Sequence, residues 1–126
     1  MTLISPQFVR FSVTGLGATV MHITIAVAMV ELLALKPIAA NGTAFGVATG
    51  FAYICNTRWS FQARINRKSA LRYALITSIS FIVTLMLAAW VQRMNWHYGA
   101  GITITALVLP ILNYIAHRYF TYAEKI

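Results

Sequence analysis

Apolar residues fall in four long runs, at residues 11–35, 38–55, 71–91 and 100–116, with polar residues gathered between them. A helix needs about 20 apolar residues to cross a bilayer core about 30 Å thick. All four runs are therefore read as transmembrane helices, the first interrupted only by Thr, Ser, Gly, His22 and Glu31. Lys36-Pro37 is expected to end the first helix, because proline forces its predecessor away from helical angles. The links near Lys36-Pro37 and over residues 92–99 are short, and the middle link over residues 56–72 is longer and polar. The segment before the first run lacks a basic stretch and a short apolar core, so that run is expected to be a retained span rather than a cleaved leader.

Charge gives the chain a direction. Arg10, Arg58, Arg64, Arg67, Lys68, Arg72, Arg118 and Lys125 fall on one side of the four spans; only Lys36 and Arg93 fall on the other. That bias places the middle link and both termini in the cytoplasm. Trp59, Phe61, Tyr73, Tyr119, Phe120 and Tyr122 make an aromatic belt on the same side, and Trp90, Trp96 and Tyr98 make one outside. A net charge of +8 would otherwise raise nucleic acid as a partner. Here the cations flank apolar runs, and 60% of the residues are hydrophobic, so membrane topology accounts for them and no nucleic acid is expected.

The chain also repeats itself weakly. Arg10-Phe11-Ser12-Val13 opens the first helical hairpin and Arg72-Tyr73-Ala74-Leu75 opens the second. At the hairpin ends, Tyr53 aligns with Tyr114, Trp59 with Phe120 and Phe61 with Tyr122. Both hairpins run in, out, in, as in parallel transporter repeats. The expected fold is thus an all-α integral membrane domain over residues 1–126, four spans in two parallel-repeat hairpins.

Within that frame, Gly42, Gly46 and Gly50 form overlapping small-xxx-small motifs, expected to pack helices of one chain or of a homo-oligomer. The best candidate site lies at the cytoplasmic helix ends, where Asn56, Arg58 and Trp59 close the second span and Asn113, His117 and Arg118 close the fourth. Asn113 follows Pro110, which leaves a carbonyl one turn earlier without its partner. Guanidinium forks suit phosphate oxygens. With Arg10 and Arg72, they are expected to form a basic, aromatic collar for an anionic lipid headgroup. His22 is near the middle of the first span and Glu31 near its outer end, and an ionisable group in a span is a candidate for a transport pathway.

Enzyme chemistry has few residues to work with. Glu31 is the only carboxylate in a span, the chain has no Asp, and no phosphate-binding glycine loop or nucleophile elbow is present. Cys55 stands alone and three scattered histidines lack zinc-ligand spacing, so no catalytic residue, metal or cofactor is expected.

Taken together, these residues resemble the GtrA-like family of small four-helix bacterial membrane proteins. The resemblance runs from Phe8 to Tyr122. It rests on Arg10-Phe11 with Gly15, on Asn56-x-Arg58-Trp59-x-Phe61, on Arg72-Tyr73, and on Asn113 with Arg118-x-Phe120. It implies translocation of a polyprenyl-phosphate-linked sugar across the inner (cytoplasmic) membrane for cell-surface polysaccharide, with a membrane glycosyltransferase as partner. His117 is a departure, since the family often has Asn there. A non-transporting scaffold that presents the lipid to a glycosyltransferase is the alternative. A proton-coupled cation exporter of similar size is disfavoured, because His22 stands where such a pump would carry its carboxylate.

Overall fold

Helix-capping chemistry decides where each helix of this chain begins and ends. The structure, a computed structural model, describes residues 5–123, and of residues 37, 38, 98, 99, 101, 102, 105 and 106 the backbone alone. Glu124 and Lys125 therefore lie outside the described residues, as does the side chain of Tyr98. The first helix, α1 (Pro6–Leu33), starts five residues before the first apolar run. Ser5 accepts a hydrogen bond from the Phe8 N–H at 3.1 Å, and Pro6 sits where a missing N–H is harmless. α1 stops before Lys36-Pro37 because Ala34 turns left-handed at φ 54°, and the N–H groups of Ala34 and Leu35 both return to the Met29 carbonyl. Pro37 then opens α2 (Pro37–Cys55) in place of closing α1.

The polar middle link is shorter than its composition predicts. α2 passes directly into a wider, π-helical turn, π1 (Asn56–Ser60). α3 (Arg67–Arg93) takes up the last part of the link. Its capping box explains the early start: the Asn66 side chain accepts from the Ser69 N–H at 2.8 Å, and the Ser69 hydroxyl accepts from the Asn66 N–H at 3.3 Å. α4 (Tyr98–Ala116) carries Pro110 in its interior and runs into a second π-helical turn, π2 (His117–Thr121). Among the described residues there is no strand. At 1.5 Å per residue, α1 and α3 are each about 40 Å long. Both are apolar enough to cross a bilayer.

The chain divides into two compact units, one ending at Ala63 and the other beginning at Arg64. In the first unit α1 and α2 run antiparallel, since Arg10 meets Trp59, Gly17 faces Phe51, and His22 meets Asn41. Ala40, Ala44 and Ala48 are the buried face of α2. Gly42, Gly46 and Gly50 point elsewhere: a methyl group added to any of them would meet nothing within 4 Å. The seam on α1 is thus an alanine stripe, two residues and about 200° around the helix from the predicted glycine stripe. Overpacking a tight seam costs about 1–3 kcal/mol. Ala44→Leu is therefore expected to lower the melting temperature in detergent more than Gly46→Leu does; the reverse order would place the seam on the glycines.

In the second unit α3 and α4 are likewise antiparallel. Arg72 meets Phe120, Tyr73 meets His117, and Ser80 donates to the Asn113 side-chain oxygen. At the far end Asn95 takes the left-handed conformation at φ 57°, which Asn tolerates, and Trp90 and Trp96 meet edge to face at 5.0 Å. On α1, Leu16, Val20, Ile23 and Val27 are exposed; on α3, Leu75, Ile79, Ile82 and Met86 are. Apolar surface on that scale is suited to lipid, not water.

Candidate functional site

A helix end leaves its last carbonyls without intrahelical partners. In the first unit π1 satisfies part of that demand: the Phe61 N–H reaches back five residues to Asn56 at 2.8 Å, and the Ala63 N–H reaches Thr57 at 2.7 Å. Arg10, from the start of α1, supplies another donor. Its Nη1 reaches the Trp59 carbonyl at 3.4 Å, and its guanidinium lies 5.8 Å from the Trp59 ring centre. Beneath this contact Asn56, Thr57 and Ser60 are buried, and the Ser60 hydroxyl donates to the Asn56 side-chain oxygen at 3.0 Å. Phe11 meets Phe61 edge to face at 6.0 Å. Arg58 and Trp59 face outward from this corner.

The second unit builds the same corner from different residues. The Tyr122 N–H reaches the His117 carbonyl at 2.9 Å, again five residues back. Arg72 donates to the Phe120 carbonyl at 2.9 Å and lies 5.0 Å from the Phe120 ring centre. His117 Nδ1 and the Thr121 hydroxyl are 2.9 Å apart, the counterpart of Asn56 with Ser60. Tyr73, which follows Arg72 as Phe11 follows Arg10, stacks on the His117 ring at 4.3 Å. Single π-helical turns are rare and concentrate at functional sites. Two of them at matching places of an internal repeat mark these corners as built features.

The two Arg clamps differ in strength. Hydrogen bonds to charged groups contribute about 1.5–3 kcal/mol when well made, and the Arg72 contact is the shorter of the two. Arg72→Ala is therefore expected to cost about 1–3 kcal/mol in thermal stability, and Arg10→Ala less. Equal melting temperatures for both variants and the wild type would show that neither clamp holds its corner.

The two corners keep the register of the sequence repeat. Asn56 corresponds to His117, because both are buried at the start of a π-helical turn and bond a hydroxyl four residues on. Asn113 lies earlier, on α4, where it holds Ser80 of α3. In the same register Arg58 corresponds to Tyr119, and Arg118 corresponds to the buried Thr57. Arg118 turns back along its own helix, donating to the Tyr114 hydroxyl at 3.0 Å with Tyr119 beside it. Arg58 and Arg118 are thus not equivalent groups.

The remaining candidates lie away from these corners. His22 Nε2 is 3.4 Å from the Asn41 side-chain oxygen, a polar contact across α1 and α2. Glu31 is exposed in the last turn of α1. Sequence reading missed Ser60, Thr121 and Asn41; the signal for the first two was the four-residue spacing from Asn56 and His117. Burial holds His117 neutral, its pKa lowered to about 3. No cluster of His, Cys, Asp or Glu that could hold a metal ion occurs among the described residues. Compared with known proteins, residues 10–122 match the model of a family described as the GtrA/DPMS transmembrane domain. No curated protein and no solved structure matches the chain.

Proposed function

The chain belongs to the GtrA/DPMS transmembrane-domain family, a membrane family tied to the handling of lipid-linked sugars, and from that premise we propose that it translocates a polyprenyl-phosphate-linked sugar. In this reading all four helices span the inner membrane with both termini in the cytoplasm, and the lipid serves cell-surface polysaccharide synthesis. Arg10 and Arg72 fix the corners of their units, and outward-facing guanidinium and aromatic groups receive phosphate and sugar. His22 with Asn41, and Glu31 nearer the outer end, are polar positions a headgroup would pass. The polyprenyl chain can stay in lipid, so a groove suffices. A homo-oligomer would thicken its walls, and a membrane glycosyltransferase would supply its cargo. No catalytic group, metal or cofactor enters the mechanism.

The observation that carries this reading is the outward pair Arg58 and Trp59, standing on a corner already braced from beneath. A phosphate needs the fork and a sugar ring favours an aromatic face. Bracing of the corners also suits a scaffold that presents the lipid to a glycosyltransferase without moving it. Native mass spectrometry of the purified protein with undecaprenyl-phosphate-glucose and phosphatidylglycerol at equal concentration tests the shared part of both readings. The polyprenyl lipid is expected to be retained preferentially. Equal retention of both lipids would reduce the arginines to topology signals.

A further inference from the structure

We propose that the two corners divide the work unequally: the first unit's corner, with Arg58, Trp59 and Arg10, is the headgroup-binding one, and the second unit's corner is its structural copy. This rests on the reading above and says which half carries it. The sequence offers one outward Arg candidate in each corner, Arg58 and Arg118, and the register separates them by one residue. On a helix one residue is a rotation of about 100°. Arg58 therefore stands on the exposed side of π1, while Arg118 stands over the preceding turn of α4 and gives Nη1 to Tyr114. Thr57, at the position matching Arg118, is fully buried.

Among the described residues the Arg58 side chain makes no hydrogen bond or ring contact, so its whole fork is available to phosphate oxygens. Arg10 spends one N–H on the Trp59 carbonyl at 3.4 Å, a long contact, and its other donors stay beside the Trp59 ring. In the second unit Arg118 is half-buried and bonded to Tyr114, and Arg72 is held at 2.9 Å by the Phe120 carbonyl. At Arg72 and Arg118 part of the fork is already committed to the chain's own hydrogen bonds; at Arg58 none of it is. The aromatic partners differ too. Trp59 is 46% exposed and offers an indole face and an N–H, whereas Phe120 offers a ring without a donor. The first corner therefore suits a phosphate carrying a hydroxylated ring.

The same native mass spectrometry comparison, run on Arg58→Ala, Arg58→Lys and Arg118→Ala, decides the matter. Arg58→Ala is expected to lose about tenfold or more in affinity for undecaprenyl-phosphate-glucose, and Arg58→Lys to recover part of it. Arg118→Ala is expected to bind within about twofold of wild type while melting at a lower temperature, because it abandons the Tyr114 hydroxyl. Phosphatidylglycerol binding distinguishes an ordinary anionic lipid from the sugar-bearing one: a loss confined to phosphatidylglycerol would overturn the proposal. Selective wild-type binding that survives Arg58→Ala, or that Arg118→Ala abolishes, would overturn the division of labour and leave the broader function standing. Wild-type protein that does not distinguish the two lipids would overturn both.

Discussion

Tyr114→Ala is expected to lower the stability of the protein more than any other substitution considered, by about 3–5 kcal/mol, the range for removing a buried aromatic ring. Tyr114 is 1% exposed and closes the second corner from the α4 side. Removing it leaves a cavity below π2 and takes away the acceptor of the Arg118 guanidinium. The loss has two parts, and Tyr114→Phe separates them. Phe keeps the ring and removes only the hydroxyl, so it should cost about 1–3 kcal/mol, the penalty for leaving a charged donor without its partner. Thermal unfolding in one detergent, followed by near-UV circular dichroism, measures both. Equal and negligible shifts for the two variants would mean that the corner is not packed around this ring.

The second large effect is a dependence on pH centred on His117. Burial lowers its pKa to about 3, against an ordinary 6.5 in the unfolded chain. Between those values the unfolded chain binds a proton that the folded one refuses, so stability rises with pH through that window. The contribution is complete above about pH 6.5 and is lost progressively as pH falls toward 3. At about 1.4 kcal/mol per pKa unit, the total is several kcal/mol. Protonation would also place a cation against Tyr73, with Arg118 next to it in the chain. His117→Asn installs the residue found at the matching place in the first unit, Asn56, and cannot titrate. Wild-type protein should therefore melt at falling temperatures from pH 7 to pH 4, and His117→Asn should flatten that slope. Parallel slopes would assign the acid sensitivity to other groups.

Much of this architecture is written in the hydrophobic pattern, and its failures have physical causes. The apolar runs located all four helices, because a helix of about 20 apolar residues has no polar competitor for its place. The ends were misjudged where capping outweighed hydropathy. Ser5-Pro6 and Asn66-x-x-Ser69 are start signals set among polar residues, so α1 and α3 begin earlier than the apolar runs do. The small-residue periodicity on α2 was visible, but identity alone does not say which face meets the neighbour. Alanine supplies enough closeness for α1, and the glycines lie off that seam.

The corners were legible as composition and not as geometry. Arg, amide and aromatic residues at the helix ends were evident, yet an i to i+5 turn leaves no mark in an apolar pattern. The internal repeat already carried the register. Aligning Tyr53 with Tyr114 puts Arg58 opposite Tyr119, and matching arginine to arginine breaks that register. The buried pairs Asn56 with Ser60 and His117 with Thr121 confirm which alignment the fold obeys.

Movement of the lipid between leaflets separates the proposed translocase from a scaffold most directly. Purified protein would be reconstituted into liposomes carrying labelled undecaprenyl-phosphate-glucose, and the fraction of lipid accessible from outside would be followed over time. The account predicts transfer faster than in protein-free vesicles, slowed by Arg58→Ala and little changed by Arg118→Ala once that variant is shown to be folded. Selective binding with transfer no faster than in protein-free vesicles would contradict translocation and leave a protein that holds the lipid for another enzyme.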